Sequence, residues 1–302
     1  MNKIMFLFGA GASYGSDISD TPALGNDLFN VLQQKFPDSW GKLTGEAENK
    51  FKSDFEEGMV YLSNNHSQHL APLQRAMAIY FFEIKLYSTN LYLKLAERFS
   101  NSDKEISCIT LNYERLLETA INHANMTPCC GGSPRSSKEI EICYPHGCCH
   151  FFNKSVIPIG SPNVMIKGTG IHTFGEIEAI MKPDVFYNRI YSDPFPPVMS
   201  YFEPSKETLS GKNFIDSQRA RYNQLISDSE LIIIIGLKVR ESDKHIWNPL
   251  SQTKAKIIYC SGADAGREYQ NWNNKHRKSY SDEILCHYFS DGFDLICNKS
   301  GV

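Results

Sequence analysis

The residues best placed to do chemistry in this chain sit where apolar runs stop. The run Ile4-Met5-Phe6-Leu7-Phe8 breaks directly into Gly9-Ala10-Gly11-Ala12-Ser13. A buried strand ending in Gly-x-Gly lets the backbone approach a pyrophosphate, and a following helix turns N–H groups toward the anion. The same residues also suit a structural tight turn, since glycine often serves packing. Three further strand ends present Thr110-Leu111-Asn112, Gly236-Leu237-Lys238 and Ser261-Gly262. Ligands of open parallel sheets bind beyond the carboxyl ends of the strands, so these ends converge on one crevice. In Tyr144-Pro145-His146-Gly147 a histidine lies on a turn, from which its ring can project into a cleft or simply cap and pack. A dinucleotide dehydrogenase is disfavoured. Gly15 falls one residue late for Gly-x-Gly-x-x-Gly, and no helix, strand and acid follow at the distance that fingerprint requires.

These residues need a frame. Thr21-Pro22-Ala23-Leu24-Gly25 punctuates the start of an amphipathic helix over Asn26–Phe36, and helical periodicity continues to about Ser100. Phe55, Met59, Val60 and Leu62 recur at helical spacing, and the long helical segment Pro72–Phe99 carries apolar residues on more than one face, as buried helix does. Its aromatic residues Tyr80, Phe81, Phe82, Tyr87 and Tyr92 are expected in the core or at a subunit contact. Ile106–Leu111 reads as a strand, followed by a helix to about His123. The span 127–212 is rich in Pro, Gly, Ser and aromatics, with short strands expected at Ile140–Tyr144 and Ser155–Ile159 and mobile segments around Pro194-Phe195-Pro196-Pro197. A helix over Phe214–Asp228 then leads into Glu230–Gly236, whose β-branched run marks a central strand buried on both faces. A helix over Glu241–Gln252 and a strand over Ala255–Cys260 complete the alternation.

Composition narrows the class. A chain of 302 residues, 41% hydrophobic, can bury one large core with an inserted subdomain. A net charge of −3 argues against a mainly electrostatic nucleic-acid binder, and Lys275-His276-Arg277-Lys278 reads as a solvated helix face. No run is long enough to span a bilayer or to act as a signal peptide, so a cytoplasmic protein without a membrane partner is expected. Nine cysteines fit free thiols. Five of them, Cys129, Cys130, Cys143, Cys148 and Cys149, cluster without any Cys-x-x-Cys pair, so no metal is expected.

Taken in order, Gly9-Ala10-Gly11-Ala12-Ser13, Thr110-Leu111-Asn112-Tyr113, His146-Gly147 and Ile234-Ile235-Gly236 before Asp243 resemble the sirtuin (SIR2) superfamily over most of the chain. The resemblance implies an α/β fold, a Rossmann-like doubly wound parallel sheet that binds NAD as substrate. Residues 1–302 would form a single such domain, with a helical insertion at about 38–100 and a small loop-rich subdomain at about 127–212. It implies that Ala10, Gly11 and Ala12 hold the pyrophosphate, that Asn112 lies near the nicotinamide ribose, and that His146 is the base. The Gly236 turn and Ser261 would contact the adenosine half; Gly9, Ser13, Pro22, Thr110 and Asp243 complete the expected binding set. The chemistry fits. Nicotinamide is a cationic leaving group, so cleavage needs ribose positioning and stabilisation of an oxocarbenium-like transition state more than a strong acid. An amide can hold a ribose hydroxyl or water, and a histidine can remove a proton.

Protein deacylases of that superfamily carry a four-cysteine zinc ribbon and a Thr-Gln-Asn-Ile-Asp motif, neither of which is present. The Asn112-Tyr113-Glu114 variant, the helical insertion and the missing ribbon resemble instead the SIR2-like domains of bacterial anti-phage defence systems, which hydrolyse NAD and starve the infected cell. Glu114 stands where those domains more often have aspartate; it is read either as a ribose contact or as a carboxylate at a helix N-terminus. The leading expectation is an NAD+ glycohydrolase releasing nicotinamide and ADP-ribose. An NAD-dependent protein deacylase and a non-catalytic NAD or ADP-ribose sensor are the alternatives. Because unregulated NAD hydrolysis is toxic and no sensor domain is visible, a homo-oligomer and an activating protein partner are expected, with the aromatic region Tyr80–Tyr92 as a contact.

Overall fold

The computed structural model describes residues 3–132, 134–154, 164–167, 170–173, 175–200, 208, 210–277 and 281–302. The strands are β1 (Lys3–Phe8), β2 (Glu105–Thr110), β3 (Thr127–Cys130), β4 (Glu139–Cys143), β5 (Phe151–Asn153), β6 (Val164–Lys167), β7 (Gly170–Thr173), β8 (Ile177–Ala179), β9 (Leu231–Ile235), β10 (Lys256–Cys260) and β11 (Glu283–Leu285). Seven of them form one sheet in the order β11-β10-β9-β1-β2-β4-β3. All of its pairings are parallel. The fold is a Rossmann-like, doubly wound α/β sheet.

Side-chain alternation explains why helices cover both faces. Ile4, Phe6, Phe8, Ile233 and Ile235 join one buried cluster; Met5, Leu7, Ile232 and Ile234 join the other. On the first face lie helices Gly25–Lys35, Gly45–Ser53, Phe55–Asn65, Leu70–Phe82 and Leu91–Ser100, all inserted between β1 and β2. On the second lie Lys212–Asp228, Lys244–Gln252 and Gly262–His276, which contribute Tyr222, Ile246, Trp247, Tyr269 and Trp272. Burying each such aliphatic or aromatic side chain contributes roughly 1.5–3 kcal/mol. The chain leaves β1 toward β2 on one side and later returns to β9 on the other side of β1. The strand order therefore reverses between β1 and β9, where a crevice opens in this architecture.

Several elements differ from the sequence expectation. Pro72–Phe99 is two helices, because Asn90 starts a new one: its side chain accepts from the Tyr92 N–H at 2.9 Å, while Leu91 N–H donates to Ser16 O at 2.8 Å. The aromatic residues agree with the core reading: Tyr80, Phe81, Phe82 and Tyr92 are buried, with Phe82 stacked on Phe186 at 3.7 Å, and of the five only Tyr87 is exposed. The strand expected at Ile140–Tyr144 is present as β4, but it and β3, within the span read as loop-rich, belong to the main sheet. The Pro194–Pro197 region is held in place. Phe195–Ser200 is buried, Val198 N–H donates to Phe151 O at 2.8 Å, and Cys148 N–H donates to Val198 O at 2.9 Å. Arg277 is no solvated residue: it is fully buried, paired with Asp282 at 2.7 Å, and donates to the carbonyls of Leu250, Thr253 and Ala255. The strand expected at Ser155–Ile159 lies outside the described residues. No helix among the described residues is long and apolar enough to cross a membrane.

Candidate active site

The carboxyl ends of β1 and β9 meet through their glycines. Gly9 N–H donates to Ile235 O at 2.9 Å and Gly11 N–H to Gly236 O at 2.8 Å. Gly236 has φ +64°, and a Cβ there would lie 1.9 Å from Ala12 N. A Cβ on Gly9 would in turn meet Gly236 O at 2.6 Å. What demands glycine at these positions is therefore the contact between two strand-end turns. The Gly11 and Ala12 N–H groups are spent inside the fold, the latter on Gly9 O at 2.9 Å. Ala10 is exposed and Gly11 half-buried, whereas Ala12 and Ser13 are fully buried. The helix that follows the turn, Ala10–Tyr14, is a single short turn.

Behind this turn, a hydrogen-bond network fixes Asn112. Ser13 Oγ donates to Glu114 Oε1 at 2.5 Å, which commits its one proton. Its lone pairs must then accept, from Asn112 Nδ2 at 2.7 Å and from the Tyr92 hydroxyl at 3.0 Å. Asn112 Nδ2 also donates to Gly9 O at 3.1 Å, and its backbone N–H to Thr110 Oγ1 at 3.1 Å. Both amide protons of Asn112 are thus engaged, and Oδ1, an acceptor, takes part in none of these bonds. Glu114 does not reach toward a ligand. Its other oxygen accepts from Leu116 N–H at 2.5 Å, at the start of helix Leu116–His123. Burial pushes the Glu114 carboxyl up from its ordinary range, while the Ser13 hydroxyl, the Leu116 N–H and the Asn112 amide hold it down.

The next residue, Tyr113, links Asn112 to the histidine turn. Its ring stacks on His146 with centroids 6.5 Å apart, and its hydroxyl donates to Ser200 O at 2.9 Å. Ser200 N–H donates to His146 O at 2.8 Å. His146 is 6% exposed, and its Nε2 lies 2.8 Å from His245 Nε2. At that distance one ring supplies the proton and the other the lone pair, so the pair shares one hydrogen. Burial raises the Tyr113 phenol above its ordinary range, and the Glu56 and Asp243 carboxylates add to the effect. Glu56 pairs with Arg240 at 2.5 Å, bringing the helical insertion onto the loop after β9. Farther inside, burial pushes Glu118 up to about 8 and His150 down to about 3, so both are neutral near pH 7.

Most residues expected from sequence gather here, in differing roles. Gly9, Ala10, Gly11, Gly236 and Asn112 lie at the meeting of β1, β2 and β9, and His146 reaches it through Tyr113. Asp243 lies beside Tyr113 at the start of helix Lys244–Gln252. Ser13, Ala12 and Thr110 act from behind, as buried supports. Ser261 Oγ accepts from Leu237 N–H at 3.0 Å and ties the β9 and β10 ends together. Pro22 is buried next to Ala23, whose N–H donates to the Tyr80 hydroxyl at 2.8 Å. Sequence reasoning missed Glu56, Arg240 and His245, and named Tyr113 only as part of the Asn112-Tyr113-Glu114 motif. His245 had a signal, lying two residues beyond an acid at a helix start. No protein-family model matches the chain, and no curated protein matches it.

Proposed function

We propose that the protein is an NAD+ glycohydrolase of the sirtuin superfamily, cleaving NAD+ to nicotinamide and ADP-ribose. The observation that carries this reading is the locked Asn112 amide, whose orientation is dictated by Ser13 and Glu114 and whose Oδ1 is left as an acceptor beside the Gly9–Gly11 turn. An acceptor fixed in this way suits a ribose hydroxyl or an attacking water. It needs no reorganisation when positive charge develops on the anomeric carbon. The His146–His245 pair supplies a base that can accept one proton and share it, as removal of a proton from water or a ribose hydroxyl requires. The α/β crevice at the β1/β9 reversal is where a dinucleotide is expected. In a cell, such an activity would act by depleting NAD+, as the defence domains it resembles do.

Incubation of NAD+ with the protein, resolved by reverse-phase chromatography, should yield nicotinamide and ADP-ribose in equal amounts. Asn112→Ala and His146→Ala should each abolish turnover while leaving the far-UV circular dichroism unchanged. A wild-type rate in either variant would remove that residue from the mechanism. Tight NAD+ binding without turnover would favour a sensor over an enzyme.

A further inference from the structure

Three consecutive residues after the histidine turn, Cys148, Cys149 and His150, bring a thiol, a thiol and an imidazole nitrogen within 4.8 Å of one another, all buried. Glu118, from helix Leu116–His123, joins them: its Oε1 lies 3.5 Å from His150 Nδ1 and 4.0 Å from Cys148 Sγ. Cys148 Sγ and His150 Nδ1 are 3.2 Å apart. Glu118 Oε2 is buried and makes no hydrogen bond of ordinary geometry among the described residues. The Cys148 thiol donates to Tyr113 O at 3.1 Å and Glu114 O at 3.4 Å, bonds that metal ligation would replace, and the Tyr144 hydroxyl interacts with the Glu118 carboxyl. We propose that Cys148, Cys149, His150 and Glu118 form a closed structural site for a thiophilic divalent cation, Zn2+ foremost.

The geometry is close to what such an ion requires. Bonds of about 2.3 Å to sulfur and about 2.0–2.2 Å to nitrogen and oxygen place tetrahedral donors roughly 3.3–3.8 Å apart. Two thiolates and a carboxylate around a dication leave one negative charge. Arg115 can balance it: its guanidinium lies over the Phe82 ring at 3.7 Å, acts electrostatically on both Glu118 and His150, and keeps a buried Nε without a hydrogen-bond partner. Thiolate ligands select zinc-like ions over magnesium or calcium. Without a paired Cys-x-x-Cys the sequence excludes a zinc ribbon, but a turn that brings neighbouring residues together needs no such spacing. Cys149 N–H donates to Tyr113 O at 2.9 Å, so the ion would clamp the histidine turn to the Asn112–Glu114 turn. The inference stands apart from the reading of the site as an NADase.

The test is the metal content of the wild-type chain, expressed without an affinity tag in zinc-supplemented medium and dialysed against metal-free buffer. About one Zn2+ per chain is expected by mass spectrometry. Co2+ added to chelator-stripped protein should give thiolate charge-transfer bands in the near ultraviolet and intense tetrahedral d–d bands in the visible. Glu118→Gln should shift the visible bands, and Cys148→Ser/Cys149→Ser should erase the charge-transfer band. Cys129→Ser/Cys130→Ser, at the edge of the sheet, should change neither. Wild-type protein that holds less than about one ion per ten chains and gives no Co2+ charge-transfer band overturns the proposal. So does a folded Cys148→Ser/Cys149→Ser variant that binds metal like wild type.

Discussion

Substituting alanine for Gly236 tests the contact on which the candidate site is built. At φ +64° a side chain costs about 1–2 kcal/mol in the left-handed region. The new Cβ would also lie 1.9 Å from Ala12 N, 2.4 Å from Gly11 C and 2.7 Å from Ala12 Cα. These are backbone atoms held by the Gly11–Gly236 hydrogen bond, so no rotamer change relieves the clash, and overpacking adds about 1–3 kcal/mol. The expected total is about 2–5 kcal/mol, read as a lower midpoint in urea unfolding followed by circular dichroism. Gly45→Ala separates the two contributions. Its φ is also +64°, but nothing lies within 4 Å of its Cβ, so only the backbone cost of about 1–2 kcal/mol should appear. If both variants lose the same stability, the packing of the β9 turn on the β1 turn is not as described. Because relief requires the two turns to part, NAD+ turnover by folded Gly236→Ala should fall far more than by Gly45→Ala.

Glu114→Gln should lower kcat for NAD+ hydrolysis at least tenfold, with a smaller change in KM. A glutamine NH2 donating to Ser13 frees the Ser13 proton, which then favours a flipped Asn112 amide; unchanged kcat would remove Glu114 as the positioning residue. His245→Ala should reduce turnover on the order of 10–100-fold, since His146 loses its hydrogen-bonding partner; wild-type turnover would count against a role for the pair. Arg277→Leu should cost about 3–5 kcal/mol in urea unfolding, because Asp282 is left buried and charged. Arg277→Leu/Asp282→Leu should recover part of that loss, and strict additivity of the two single substitutions would show that they do not interact.

Much of the frame was legible because strands buried on both faces leave a distinctive mark. Within Glu230–Gly236, Leu231–Ile235 is one leucine followed by four isoleucines, and β9 occupies those five residues. Gly9–Ser13, Asn112 and Gly236 could be placed at strand ends for the same reason, as each interrupts an apolar run. The helical insertion was harder. Pro72–Phe99 is apolar throughout, and periodicity alone cannot find a break produced by one asparagine side chain capping a new helix. Arg277 was misread because local charge density says nothing of Asp282 and three carbonyls folding around one guanidinium.

The amino-acid sequence by itself determined that this chain is an α/β protein with polar and glycine residues at the ends of buried parallel strands, since that follows from side-chain period and local backbone preference. Tertiary structure alone decided what those residues do. Gly9 and Gly11 are glycine because Gly236 packs on them, and the Asn112 NH2 is turned to Ser13 and Gly9 because the Ser13 hydroxyl donates its hydrogen bond to Glu114. His146 finds His245 from a strand end on the far side of β1. Each outcome depends on distances of 2.5–3.1 Å between groups far apart in sequence, which no local pattern encodes.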